Sequence, residues 1–444
     1  MSSSAQTQAA DAQHQALGMK NHSSPNYQRT QHPEAQWFPQ AGLGLFLHWG
    51  ISSVRGCCDL SWGMIRDTPW DARLANSNKL TPAEYFAQAD SFSPDAYDPD
   101  QWLAAAAKAG FRYAVLTTKH HDGYTLWPSA FGDFGTHTHM NGRDLVRPFV
   151  DACHRHGLKV GLYYSPPDWY FDREVRNWSY IKTPSSDPAH PGELGLDMHH
   201  QPVPVPSKSD QHEAERIALV TGQIDELLSN YGHIDLMWFD GGRCEVSPEF
   251  VRERQPHIVI NGRMWGHGDY WHTECKMPDG PTSGWFETCN TWNQGGWGYF
   301  QNQAYGPVSE RLAELLQLRS YGANLLTNIA PGPDGALTET AYQRLHELAA
   351  WMQHSAEAIY DVAPLASDVS CSVPASSKGS RMYCYLMDAA TPSIGISCPG
   401  TLSKATVLRT GANLALHRDG DNWTLQLGPE AGLQAHDVIA IDRI

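Results

Sequence analysis

The chain has 444 residues, with 32 Lys and Arg against 48 Asp and Glu and a formal charge of −16; it carries no electrostatic footprint for nucleic acid. No apolar run approaches the roughly 20 residues of a membrane span, and the amino terminus lacks a signal-peptide core, which excludes a membrane-spanning reading. Nine scattered Cys without paired metal-type spacing point to mostly free thiols, no zinc site and a cytoplasmic setting. Sixteen Trp and 18 Tyr suit sugar recognition as well as core packing, and packing is the commoner use.

In chain order, residues 1–34 read as a polar Gln/Ser/Ala-rich tail. GLGLFLHWG (42–50) is an apolar strand ending in His48 and Trp49, followed by a loop (54–70) rich in Gly, Cys and Trp that carries Asp59, Trp62 and Arg66. PDQWLAAAAKAG (99–110) predicts a helix stopped by Gly, feeding the strand FRYAVLTTKHHDG (111–123). The same grammar recurs three times. Helices ending at Gly157, Gly232 and Gly322 feed LKVGLYYSPPDW, IDLMWFDGG and ANLLTNIAPGPDG. HIVINGR (257–263) adds a strand, GWFETCN (284–290) supplies one more, and insertions at 166–206 and 266–284 read as loops.

Alternating helices and apolar strands predict a parallel sheet. Length and the absence of a first-turn GxGxxG favour a (β/α)8-like, TIM-type barrel over residues 35–362 rather than a doubly wound open sheet. Beyond that the composition turns to Ser, Gly, Thr and Val with short alternating runs, which predicts a C-terminal antiparallel β-sandwich over 363–444.

HWG, KHHDG, YYSPPDW, WFDGG, NGR and NIAPGPDG all place polar or special residues where an apolar strand stops. In a barrel, that end is the active-site face. Asp240 stands at such a strand end, although by itself it reads equally well as the cap of a following helix.

GLGLFLHWG, LTTKHHDGY, GLYYS, LMWFDGG, NGRMWG and NLLTNIAPGPDG, in this order, resemble the α-L-fucosidases of glycoside hydrolase family 29 over roughly residues 35 to 360. The resemblance implies a retaining exo-α-L-fucosidase that hydrolyses terminal α-L-fucosyl residues through a covalent glycosyl-aspartate, without metal or other cofactor. It assigns Asp240 as nucleophile and His48, His120, His121, Tyr163, Trp238 and Arg263 to the sugar subsite, with Trp62 from the covering loop. For the acid/base carboxylate, DYWHTEC makes Glu274 the first candidate, GWFETCNTW makes Glu287 the second, and Asp269 is a third. The implied partner is a fucosylated glycan, and a homo-oligomer is compatible with it.

Two positions depart from the family pattern. Ser61 stands where relatives carry Glu before the Trp, and Gly262 where many carry Asp before the Arg. Ser61 leaves open the same scaffold acting on a related sugar such as an α-L-galactoside; a sugar-binding barrel without catalysis is the alternative from another class.

Overall fold

The computed structural model describes residues 28–68, 79–180, 194–241, 244–264, 267–428 and 432–444. Eight parallel strands form its centre: β1 (Leu43–Leu47), β2 (Tyr113–Lys119), β3 (Lys159–Tyr164), β4 (Leu236–Phe239), β5 (Val259–Ile260), β6 (Trp271–Glu274), β7 (Phe286–Thr291) and β8 (Asn324–Ile329). Neighbours in the ring are neighbours in sequence, β8 pairs back onto β1, and a parallel bridge between Asn261 and Tyr270 joins β5 to β6. The sheet therefore closes into the TIM-type barrel.

Helices α1 (Pro99–Lys108), α2 (Val146–Arg155), α3 (Asp210–Asn230), α4 (Pro248–Arg254), α5 (Val308–Tyr321) and α6 (Glu339–Ser355) cover its outside. The four expected glycine stops, Gly110, Gly157, Gly232 and Gly322, have φ of 88°, 68°, 76° and 79°. This is the left-handed conformation that ends a helix and turns the chain into the next strand.

The connections from β5 to β6 and from β6 to β7 contain no helix among the described residues. This corrects the reading of 266–284 as loop throughout, because WHTE within it is β6. Its four residues are all half-buried and mostly polar, so the apolar run that marks a buried barrel strand is missing there.

Period-2 alternation sorts the strand side chains. In β1, Leu45 and Leu47 join the outer core beneath the helices, while Phe46 points into the barrel with Val115, Tyr163, Leu236, Trp238 and Leu326. Gly44 leaves space for an inward Tyr113, since a Cβ there would lie 2.1 Å from Tyr113 Cζ.

The amino-terminal mouth is plugged by residues 33–40, where Phe38 stacks on Tyr270 with centroids 4.2 Å apart. Thr30 N–H donates to Asp269 at 2.8 Å, so the described chain is already engaged within the segment expected as tail; residues 1–27 lie outside the described residues.

After α6, a six-stranded and a four-stranded antiparallel sheet enclose a second core of Met382, Cys384, Ile394, Ile396, Leu425, Ile439 and Ile441. The alternate residues of the same strands, Tyr383, Tyr385, Val438 and Ala440, belong to the barrel core. One sheet thus serves two interfaces, and Tyr385 OH fastens it by donating to Ala358 O at 2.7 Å.

Candidate active site

Asp240 follows the last residue of β4, where its backbone N–H still bonds Tyr164 O at 3.1 Å. Its carboxylate accepts from Tyr163 OH (2.7 Å) and from Gly241 N–H (2.7 Å), and forms an ion pair with the Arg263 Nη1 end of a guanidinium. Burial alone would raise this carboxyl, but Arg263, helped by the Tyr163 hydroxyl, outweighs it and holds the group well below the usual carboxylate range. Asp240 is therefore ionised at neutral pH.

Arg263 stands just beyond β5, and its Nη2 pairs with Glu274 at the end of β6. Its Nε donates to His272 Nε2 at 2.6 Å, and the guanidinium lies 4.7 Å from the Trp238 ring centroid. One cation therefore ties Asp240 to Glu274. Their side chains are 11% and 15% exposed, so both reach the edge of the cleft.

Glu287 occupies a different level. It is the second residue of β7 and lies opposite His272, whereas Glu274 lies opposite Cys289 two residues further along. Its carboxyl accepts from Tyr113 OH (2.6 Å), Trp238 Nε1 (3.0 Å) and Tyr270 OH (3.1 Å), and it is fully buried beneath Trp238. Burial pushes its pKa up to about 7. Asp269 is likewise buried; it seams the barrel by accepting from Ile260 N–H (2.8 Å) and pairing with Arg252 (2.6 Å).

The expected subsite residues form one aromatic cluster. His120 stacks on Tyr163 (5.7 Å, 6°), Tyr163 on Trp238 (5.5 Å, 16°), and His48 meets Tyr163 edge-on at 5.5 Å. Half-buried Trp62 stands perpendicular to His121 at 5.6 Å.

Burial pushes His48 and His121 down to about 4 and His120 further still, so all three rings are neutral at pH 7. Asn328 donates its amide N–H groups to Asn293 Oδ1 and Trp297 O, which turns its Oδ1 toward His48 Nδ1 at 2.7 Å. His48 Nδ1 must then carry the proton, leaving Nε2 as an acceptor. Ser61 and Ser165 bond Nδ1 of His120 and His121, at 2.6 and 2.5 Å.

Several residues that build the site were not singled out from the sequence. Asn328 and Ser165 orient histidines, and His272 buttresses Arg263. Half-buried Trp297 lies 5.1 Å from His48 on the loop after β7; its signal was GGWGY, a Trp among glycines in a strand-end loop. Asp59, by contrast, was noted in the sequence on the loop after β1; burial pushes it up to about 6, and it accepts from the N–H groups of Trp297 and Gly298 (2.8 and 2.9 Å), which staples its loop to that one.

Two groups of three residues among those described bring metal-type donor atoms within 4.8 Å of each other. In His120, His121 and Asp240, both Nδ1 atoms and the carboxylate already have partners. In Glu34, His233 and His257, at the opposite end of the barrel, the imidazoles stack face to face at 3.7 Å, so their in-plane lone pairs run parallel rather than converge.

The alpha-L-fucosidase family profile matches residues 7–357. A tissue alpha-L-fucosidase of Macaca fascicularis is 28% identical, over 90% of this chain and 86% of that protein. Alpha-L-fucosidase isoenzyme 1 from Paenibacillus thiaminolyticus superposes with a TM-score of 0.73 at 26% identity, covering 93% of this chain and 99% of that one. An alpha-L-fucosidase from Bacteroides thetaiotaomicron, trapped as a covalent intermediate with 2-fluoro-fucosyl fluoride, has the same fold (TM-score 0.74, 21% identity, 95% and 98% covered).

Proposed function

The chain belongs to the alpha-L-fucosidase family and is a glycoside hydrolase; from that premise we propose that it is a retaining exo-α-L-fucosidase in which Asp240 is the nucleophile and Glu274 the acid/base. The observation that carries this reading is the shared guanidinium, because Arg263 holds both carboxylates at one point of the cleft. Two carboxylates spanned by a single guanidinium suit the ~5 to 5.5 Å spacing of retaining enzymes better than the ~6.5 to 9.5 Å that inversion needs.

Asp240 attacks the anomeric carbon as Glu274 gives its proton to the leaving glycosidic oxygen. Water then enters, Glu274 takes its proton, and the bond to Asp240 breaks to release the sugar with retained configuration. Arg263 keeps the Glu274 carboxyl beside the nucleophile. His48 Nε2 accepts from a sugar hydroxyl, and the Trp62 and Trp297 faces hold the apolar side of the deoxy sugar. Glu287 works from below, fixing the Trp238 indole.

The test is initial-rate hydrolysis of an aryl α-L-fucoside by the wild type and by Asp240→Ala and Glu274→Ala, with and without azide. An activated leaving group needs little acid help, so Glu274→Ala should accumulate the intermediate and be rescued by azide with retention. Asp240→Ala should lose turnover, and any azide-dependent product should be inverted. Azide rescue of a Glu287 variant instead of Glu274→Ala would overturn the assignment.

Ser61, committed to His120 at 2.6 Å, supports a second reading in which the subsite accepts a related sugar such as an α-L-galactoside. The ratio of kcat/KM for matched aryl fucoside and galactoside decides between them.

A further inference from the structure

The two sheets of the carboxyl-terminal sandwich each bring one thiol to the same place between them. Cys371 ends the two-residue strand Ser370–Cys371 at the edge of the four-stranded sheet, and Cys384 lies on Arg381–Tyr385 inside the six-stranded sheet. Their sulfurs are 3.6 Å apart. Cys384 is fully buried in the interlayer core, whereas Cys371 is half-buried on the edge strand. The chain crosses from one sheet to the other between them, through Val373 and Pro374.

We propose that Cys371 and Cys384 are a redox pair that closes to a disulfide across the sandwich on meeting a small-molecule disulfide. The remaining distance is about 1.6 Å beyond the ~2.05 Å of an S–S bond, which side-chain rotation on a short edge strand can supply. The contact itself orders the chemistry, since it lowers the Cys371 thiol and raises that of Cys384, making Cys371 the attacking thiolate.

Cys371 displaces one thiolate from the reagent and forms a mixed disulfide. Cys384 then gives up its proton and attacks the Cys371 sulfur, expelling the second thiolate. Two electrons pass to the reagent, which leaves as two thiols, and the protein holds one S–S bond. Cys398, buried in the same core, instead directs its sulfur to Pro399 O at 3.2 Å, while Cys57 and Cys58 are chain neighbours in the loop over the active site.

The bond would tether the crossover between the sheets and restrict the unfolded chain, without touching the carboxylates of the barrel. In reducing surroundings the pair stays a dithiol.

The test uses the full chain incubated with oxidised glutathione or with dithiothreitol, followed by alkylation, peptide mapping without reduction, and thermal unfolding. A linked Cys371–Cys384 peptide is expected in the wild type and in a Cys57→Ser, Cys58→Ser double variant. With it, the unfolding midpoint should rise by several °C, on the order of 2 to 4 °C for each kcal/mol gained in a large domain. Cys371→Ser, the milder change because that side chain is half-buried, should lose both signals, and Cys384→Ser should stop at a glutathione adduct on Cys371. A wild type that stops at that adduct, or that links only Cys57 to Cys58, overturns the proposal.

Discussion

Replacing Glu287 by Gln separates a carboxyl that does chemistry from one that holds the barrel together. Its ordinary pKa is 4.5 and burial raises it to about 7. A carboxyl raised in this way contributes its full stability below the unfolded value, and that stability is lost as pH rises toward the folded value. The difference is worth about 3 kcal/mol between pH 4.5 and pH 7, at about 1.4 kcal/mol per unit.

Glutamine removes this dependence at a small price in hydrogen bonding. Its oxygen can accept from Trp238 and Tyr270, but its amide N–H2 then faces Tyr113, whose hydroxyl must turn to accept, at a cost of about 1 kcal/mol. Glu287→Gln should therefore be slightly less stable than the wild type at pH 5 and more stable by about 2 kcal/mol at pH 8. Urea unfolding midpoints at the two pH values read this crossover. In parallel, kcat/KM on an alkyl fucoside, whose poor leaving group needs protonation, should stay within about threefold of the wild type, against the ~10² to 10⁴-fold loss expected on removing a general acid. A loss of that size would refute the structural role, and parallel stability profiles would refute the burial argument.

Removing the shared cation in Arg263→Met should raise the Asp240 carboxyl and move the acid limb of the kcat/KM profile upward by about 1 to 3 pH units, measured by a pH–rate series. An unmoved limb would mean that Arg263 does not set the ionisation of the nucleophile. Tyr163→Phe deletes one hydrogen bond to a charged group and should lower kcat/KM about 10- to 100-fold with the fold intact by circular dichroism. Because His48 is held at about 4, its imidazole signals should not titrate between pH 5 and 8 in NMR; a midpoint near the ordinary 6.5 would contradict the neutral acceptor. Buried Arg319 donates to Ala323 O, Ile359 O and Asn324 Oδ1 at 2.8 to 3.1 Å, so Arg319→Met should destabilise by about 3 to 5 kcal/mol in chemical denaturation while kcat stays unchanged at low temperature.

What the amino-acid order determined by itself was whatever depends on near neighbours along the chain. Gly110, Gly157, Gly232 and Gly322 were legible as helix stops because the left-handed turn they make is a property of one residue. The strand-end motifs HWG, KHHDG, WFDGG and NGR were legible as sharing one end of the barrel because an apolar strand followed by a polar residue marks that end each time, and the structure gathers His48, His120, His121, Asp240 and Arg263 there.

Only tertiary structure could place Glu274 and Glu287 at different levels of the barrel. Both flank half-buried aromatic stretches, and it is the register of β6 on β7 that lifts one to the cleft and leaves the other beneath Trp238. For the same reason β6 escaped notice: WHTE faces a polar cleft and shows no apolar run. The tautomer of His48, set by Asn328 from 280 residues away, and the meeting of Cys371 with Cys384 across two sheets are likewise products of closure. Propensity and periodicity act over a few residues, whereas hydrogen-bond partners and register are chosen only when the barrel and sandwich shut, and the chemistry of this site depends on those choices.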